Sequence, residues 1–282
     1  MNFVCVCVRI PKCGSTSLLN CLQPAFAQRQ TFYLPHSLDL EGAISAFQGW
    51  RFRRTRARNL RRRYGTSDIA TVYKLIENDA SEGDLIVGGH IDFPSLRRNI
   101  GRSLKMIVML RDPAERSRSE YNYCRQAYFC KPAMSRIDAT IIHKTAGRYD
   151  FDGYLDFMLA HAPAYANLAA RYIGWDGTED LSRLFARDVF HSGVLERGDI
   201  FARELVEKLQ TPVSFPHDNR TAKNRVSHFT SAQTRKIEKL YPLDFALYEW
   251  QLAHLGEGLS PAPACASMLL HSCHVYGHAA VS

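Results

Sequence analysis

Nowhere in the 282 residues does an apolar run approach the roughly 20 residues that span a bilayer; the longest are about the length of a strand. A secretory leader is not expected from the first residues, because Arg9 and Lys12 interrupt the first apolar stretch before it could serve as one. With Met1 as the natural start, this pattern predicts a cytoplasmic protein. The eight cysteines contain no CxxC pair and follow no regular spacing. A disulfide framework is therefore not expected, and a chain able to bury a core of this size does not need one. The cysteines and histidines near the end (Cys265, His271, Cys273, His274 and His278) fit no zinc spacing, so no metal is expected. Acid is missing from one segment altogether. Residues 51–63, RFRRTRARNLRRR, hold eight arginines and no carboxylate, within a chain of net charge +8. Most charge runs are solvated faces, but uncompensated arginines repel one another, which points as much to an anionic partner.

A hydrophobic content of 46% and a charged content of 23% suit a soluble globular domain. Residues 3–8 (FVCVCV) form a near-continuous apolar run, as expected of a strand buried on both faces of a parallel sheet. Similar strands are expected at DLIVGGH (84–90) and KMIVMLRD (105–112), with a further one at SGVLER (192–197). A helix is expected from about Ser15, stopping before Pro24, and another from Pro113 to about Gln126. Beyond residue 150 apolar residues recur at helical spacing, including two helices that meet at Pro242, and from Gly256 the pattern is lost. The expectation is one α/β domain over residues 1–255, with a central parallel sheet and a helical C-terminal half. A tail follows over 256–282.

The chemistry lies in two stretches. RIPKCGSTSLL (9–19) sits between the first strand and the first helix, where unpaired backbone N–H groups and the positive end of the helix dipole favour an anion. Gly14 allows close backbone approach, Ser15, Thr16 and Ser17 add hydroxyls, and Lys12 adds a point charge that can follow a leaving oxygen. In a triphosphate loop the lysine and a metal-binding hydroxyl follow the last glycine; here the lysine precedes it. The loop therefore suits a monophosphate-type anion held without a metal. In the second stretch, VMLRDPAERSRSEYNY, Arg111 ends a strand and offers a planar fork, and Ser119 lies eight residues on. Strand ends of this kind are where parallel sheets bind ligands.

These residues resemble the sulfotransferases that use 3′-phosphoadenosine 5′-phosphosulfate (PAPS). RIPKCGSTS is similar to their 5′-phosphosulfate loop and RDPAERSRSEY to their 3′-phosphate motif. The form is nearest the carbohydrate branch, the uronyl and heparan-type 2-O-sulfotransferases, whose catalytic-histidine segment GGHIDF (88–93) resembles in shortened form. The resemblance implies a P-loop-like three-layer fold and in-line sulfonate transfer to an acceptor hydroxyl. It implies that Arg9, Cys13 and residues 14–17 hold the 5′-phosphosulfate, with Lys12 on the bridging oxygen, and that Arg111 and Ser119 hold the 3′-phosphate. His90 would be the general base, a role suited to a histidine because its pKa lies near working pH. DNRTAKNR (218–225) would be a loop closing over the donor.

The expected acceptor is a carbohydrate, an anionic polysaccharide or a glycolipid, bound by His36, Arg51, Arg53 and Arg54. The arginine run is equally able to meet a membrane surface, nucleic acid is not an expected partner, and the 2-O branch brings a homo-oligomer into view. Two other readings stay open: a divergent P-loop kinase, which the misplaced lysine opposes, and a polyanion-binding module without turnover. Cys13, at a helix start beside Lys12, is expected either to be a reactive thiolate or a small residue chosen for fit.

Overall fold

The computed structural model describes residues 1–36, 46–137, 139–215 and 228–255; the tail from 256, the 218–225 stretch and the side chains of His36 and Arg51 lie outside the described set. The first apolar run forms β1 (Val4–Val8), buried along its length, followed by α1 (Ser15–Ala25). Pro24 lies inside α1 instead of beyond it, exposed in the final turn, and the helix ends one residue later at Ala25. Next come β2 (Thr31–His36), α2 (Ala46–Tyr64), α3 (Ile69–Asp79), β3 (Leu85–Gly89), α4 (Phe93–Asn99) and β4 (Leu104–Leu110). The arginine run is thus helical. The chain continues through α5 (Pro113–Phe129), α6 (Ile141–Arg148), α7 (Phe151–Ala160), α8 (Ala162–Tyr165), α9 (Leu168–Ile173) and α10 (Leu181–Asp188). It closes with β5 (Val189–Val194), α11 (Gly198–Leu209), α12 (Ser231–Leu240) and α13 (Pro242–Ala253). Aspartates begin many of these helices: Asp68, Asp92, Asp112, Asp150 and Asp180 each accept backbone N–H groups in the first turn of α3, α4, α5, α7 and α10.

All five strands are parallel, in the order β2-β3-β1-β4-β5. Val6 lies between Ile86 and Met106, so β1 is the central strand. Alternation along β1 sends Val4, Val6 and Val8 to one face and Cys5 and Cys7 to the other. The valine face is covered by residues of α2, α3, α4, α9, α10 and α13, and the cysteine face by residues of α1 and α11. The domain is therefore helix, sheet, helix. A third core, remote from the sheet, joins Tyr121 and Cys124 of α5 to Ala146, Tyr154, Leu155, Ile237 and Leu240 of α6, α7 and α12. No helix among the described residues is long and apolar enough to cross a membrane.

The connection leaving β1 runs toward β2, and that leaving β4 runs toward β5, in opposite directions from adjacent strands. This divergence opens a crevice between the C-terminal ends of β1 and β4, the place where open parallel sheets accept ligands. The loop after β1 and the residues after β4 are the two stretches singled out by their chemistry.

Candidate functional site

The chain leaving β1 turns tightly, the Cys13 N–H donating to the Ile10 carbonyl at 3.3 Å. Lys12 (φ 65°) and Gly14 (φ 70°) both take the left-handed conformation, which turns backbone N–H groups toward one concavity. A side chain at position 14 would be strained by this φ, and its Cβ would come within 2.5 Å of Leu195 Cδ1 in the turn after β5. Gly14 is the N-cap of α1 and has no side chain to cap it, and the first intrahelical bond runs from Leu18 N–H to the Gly14 carbonyl. The N–H groups of Ser15, Thr16 and Ser17 thus precede the helical ladder at the dipole's positive end, an arrangement that suits an anion. Of the three hydroxyl residues, Ser15 is half-buried, Thr16 exposed and Ser17 buried.

Arg111 crosses the crevice. Its Nη1 donates to the Lys12 carbonyl at 3.1 Å, tying the end of β4 to the loop after β1. Arg111 also forms long ion pairs with Glu115 and Glu196, each at 3.9 Å, while Asp112 caps α5 by accepting from Glu115 N–H. The Nε of Arg111 is buried without a hydrogen-bond partner among the described residues, and so is the Nε of Arg9. These are donors still to be satisfied beside an uncapped helix start. The Lys12 ammonium lies 4.2 Å from the centre of the Tyr123 ring. Burial lowers the Lys12 pKa; Cys124 and Glu120 oppose the shift and Arg111 adds to it. Glu115, Ser119 and Tyr123 recur at four-residue spacing on one face of α5, so Ser119 stands a turn before the ring that meets Lys12.

His90 follows β3 directly with a left-handed backbone (φ 57°). Its Nδ1 is 2.6 Å from the Arg9 carbonyl and, since a carbonyl can only accept, Nδ1 carries the proton. In the neutral ring Nε2 then holds the lone pair, the tautomer a base requires. The Tyr172 hydroxyl donates to the His90 carbonyl at 3.1 Å, holding the residue from the α9 side. Gly88 does not provide the close backbone approach that a Gly-Gly pair suggests, since a Cβ there would make only ordinary contacts at 3.7 Å. Asp92 of the same segment caps α4, accepting from Ser95 N–H at 2.7 Å.

The expected acceptor residues are not gathered in one place by described contacts. The backbone of His36 pairs with Gly89, next to His90. Arg53 and Arg54 are exposed in the first half of α2. The helix meets the sheet further on, where Arg63 lies over the Tyr33 ring at 4.3 Å and Tyr64 donates to the Tyr33 carbonyl at 2.9 Å. A cleft of about 640 Å³ opens here between Tyr33, Asn59, Arg62 and Tyr64.

Cys13 contradicts the reactive-thiolate expectation. It is 1% exposed in the core on the valine face, and burial pushes its pKa up to about 12. The loop's φ pattern turns this side chain inward, and the thiol fills space. Brief iodoacetamide treatment of the native chain should therefore modify exposed Cys130 well ahead of Cys13, which should react only on unfolding. Peptide mass spectrometry showing equal rates would contradict this placement.

Sequence reasoning missed the group beneath the loop. Arg116 of α5 is 1% exposed, with Nη1 3.6 Å from a Glu120 carboxylate oxygen and its guanidinium 4.5 Å from the centre of the Tyr241 ring. Asp244, also buried, accepts from the N–H groups of Ala169 and Ala170 at the start of α9. The Arg116–Glu120 spacing of four residues is a visible signal of an ion pair, but so is Glu115 three residues before Arg118, and neither says which arginine is buried. Glu196, after β5, was missed as well; burial raises its pKa, and the Tyr248 hydroxyl donates to it at 3.4 Å. No family model matches the chain, and no curated protein matches it either.

Proposed function

We propose that the chain is a PAPS-dependent sulfotransferase on a P-loop-like fold, transferring a sulfonate group to a hydroxyl of a carbohydrate acceptor. The observation that carries this reading is the bond from Arg111 to the Lys12 carbonyl. It brings together two anion-suited stretches about a hundred residues apart, as a ligand with two separated phosphate groups requires. The buried Nε atoms of Arg9 and Arg111, which make no hydrogen bond among the described residues, and the uncapped start of α1 support the same conclusion.

The donor supplies a sulfonate on a phosphate leaving group. Residues 13–17 hold its 5′ end through backbone N–H groups, with Cys13 contributing backbone alone because its side chain is turned into the core. Arg111 and Ser119 hold the 3′-phosphate. His90 takes the acceptor proton on Nε2 as the acceptor oxygen bonds to sulfur and the bond from sulfur to the phosphate oxygen breaks. Lys12 meets the charge that gathers on that oxygen. A positioned base of this kind contributes roughly 10²- to 10⁴-fold. The acceptor is an anionic glycan or glycolipid on the reading of the arginine-rich helix.

Calorimetric titration with 3′-phosphoadenosine 5′-phosphate in EDTA, with ADP as the control, tests the donor assignment. Binding that needs the 3′-phosphate and no metal is expected. Preference for ADP with Mg²⁺, or no binding of either, would replace the sulfotransferase reading with the kinase in the first case and the non-catalytic module in the second.

A further inference from the structure

We propose that Tyr123 is a positioning residue for Lys12, holding the ammonium on the face of its ring until an anion enters the loop. The inference rests on the sulfotransferase reading for what that anion is.

The argument starts from how Lys12 is held. Its backbone is fixed in a left-handed conformation, and its carbonyl is bonded by Arg111, so the origin of the side chain is set. A four-carbon stem beyond that point is free to rotate unless its end is engaged. Among the described residues no carboxylate forms an ion pair with the ammonium; its contact is the Tyr123 ring, 4.2 Å from Nζ to the centre. Glu120 and Cys124, on the same helix, and Arg111, across the crevice, are the other groups that act on its charge.

The ring itself has a second aromatic neighbour. Its centre is 6.1 Å from the His143 ring of α6, and His143 Nδ1 is 2.9 Å from the Thr140 hydroxyl. Burial lowers the His143 pKa, and Lys131 nearby lowers it further, so His143 brings no second cation to the ring. Tyr123 nevertheless remains 51% exposed, among the most exposed of the large apolar side chains described. An aromatic residue left open to solvent beside the loop, with its face toward a lysine, is not there to fill a core.

The choice of partner matters. A carboxylate would hold the ammonium firmly and would itself repel the incoming anion. A ring at a half-exposed site favours the docked ammonium only by a factor of about two to five. That suffices to orient the charge and is readily given up to a phosphate oxygen.

The test follows the amine directly. Lys12 in the full chain is labelled competitively with acetic anhydride across a pH series and quantified by peptide mass spectrometry, in wild type, Tyr123→Phe and Tyr123→Leu. Leucine keeps apolar cover but has no ring face to stabilise the cation. Below the Lys12 pKa, Tyr123→Leu is expected to label two to five times faster and to titrate at lower pH, while Tyr123→Phe follows wild type. Labelling of Tyr123→Leu that superimposes on wild type overturns the proposal, as does Tyr123→Phe behaving like leucine. Circular dichroism of each variant identifies any loss of fold, in which case Tyr123→Met replaces leucine under the same criterion. None of these readouts uses a nucleotide, so failure of the donor to bind wild-type protein counts against the sulfotransferase reading alone.

Discussion

Lys12→Ala is expected to lower sulfonate transfer by about 10²- to 10³-fold, the usual loss when one donor aimed at developing charge is removed. Its effect on binding of 3′-phosphoadenosine 5′-phosphate should be much smaller. The asymmetry follows from geometry. Backbone N–H groups at the start of α1 and the Arg111 guanidinium remain in place in the variant, and on the proposed reading they supply most of the ground-state contact. On the same reading Lys12 interacts most strongly when charge moves onto the leaving oxygen. The wild-type rate should also respond to pH in a recognisable way. Burial depresses the Lys12 pKa, so the ammonium is lost at lower pH than an ordinary lysine near 10.4 would lose it. The alkaline fall in rate should therefore begin below that value and be absent from the residual activity of the alanine variant. Transfer assays across pH decide it: an alanine variant that keeps more than about a tenth of wild-type activity removes Lys12 from the chemistry.

Arg116→Met is expected to destabilise the fold by about 3–5 kcal/mol, the cost of removing one partner from a buried ion pair. The guanidinium is the positive centre among Glu120, Asp244 and the faces and hydroxyls around Tyr241. Methionine fills much of its volume but leaves Glu120 without its cation and Asp244 with only the N–H groups at the start of α9. For a domain of this size the loss corresponds to a fall in Tm of roughly 10 °C. Pairing it with Glu120→Leu should recover part of the loss, because the second change removes the orphaned charge. Thermal or denaturant unfolding of the single and double variants measures both effects. A single variant within about 1 kcal/mol of wild type would show that the buried guanidinium is not a stabilising centre.

Much of the site could be read from the chain because it depends on local signals. FVCVCV and MIVML are unbroken apolar runs, each followed by the residues that matter, and Pro113 after Asp112 marks where α5 begins. What could not be read depends on contacts distant in sequence. TFYLPH forms β2 although it contains a proline and few strongly apolar residues, because pairing with β3 at the sheet edge compensates for weak propensity. The stretch from Tyr154 to Gly174 has one helical periodicity, yet it breaks into α7, α8 and α9. One break is at Asn167, whose left-handed backbone is held as its side chain accepts from Leu243 N–H at 2.9 Å. SGVLER does supply part of a strand, but β5 begins earlier, at Val189, and gives way at Leu195, where a 3-10 turn supplies the leucine that packs over Gly14. The burial of Arg116 requires Tyr241, at the α12–α13 junction, and a helix with several arginines gives no hint which one that junction selects.

The position of β1 has a consequence during synthesis. Val6 pairs with Ile86 on one side and Met106 on the other, 80 and 100 residues further along the chain. At ribosomal speeds of about 5–20 residues per second, the strand and its two thiols wait roughly five to twenty seconds for both neighbours. During that interval an unbroken apolar strand has left the exit tunnel without its partners. Only α1 follows immediately, and it can shield the cysteine face while the valine face stays open. A chaperone that binds short apolar strands would therefore be expected to engage residues 3–8 on the nascent chain and to release them once β4 has emerged.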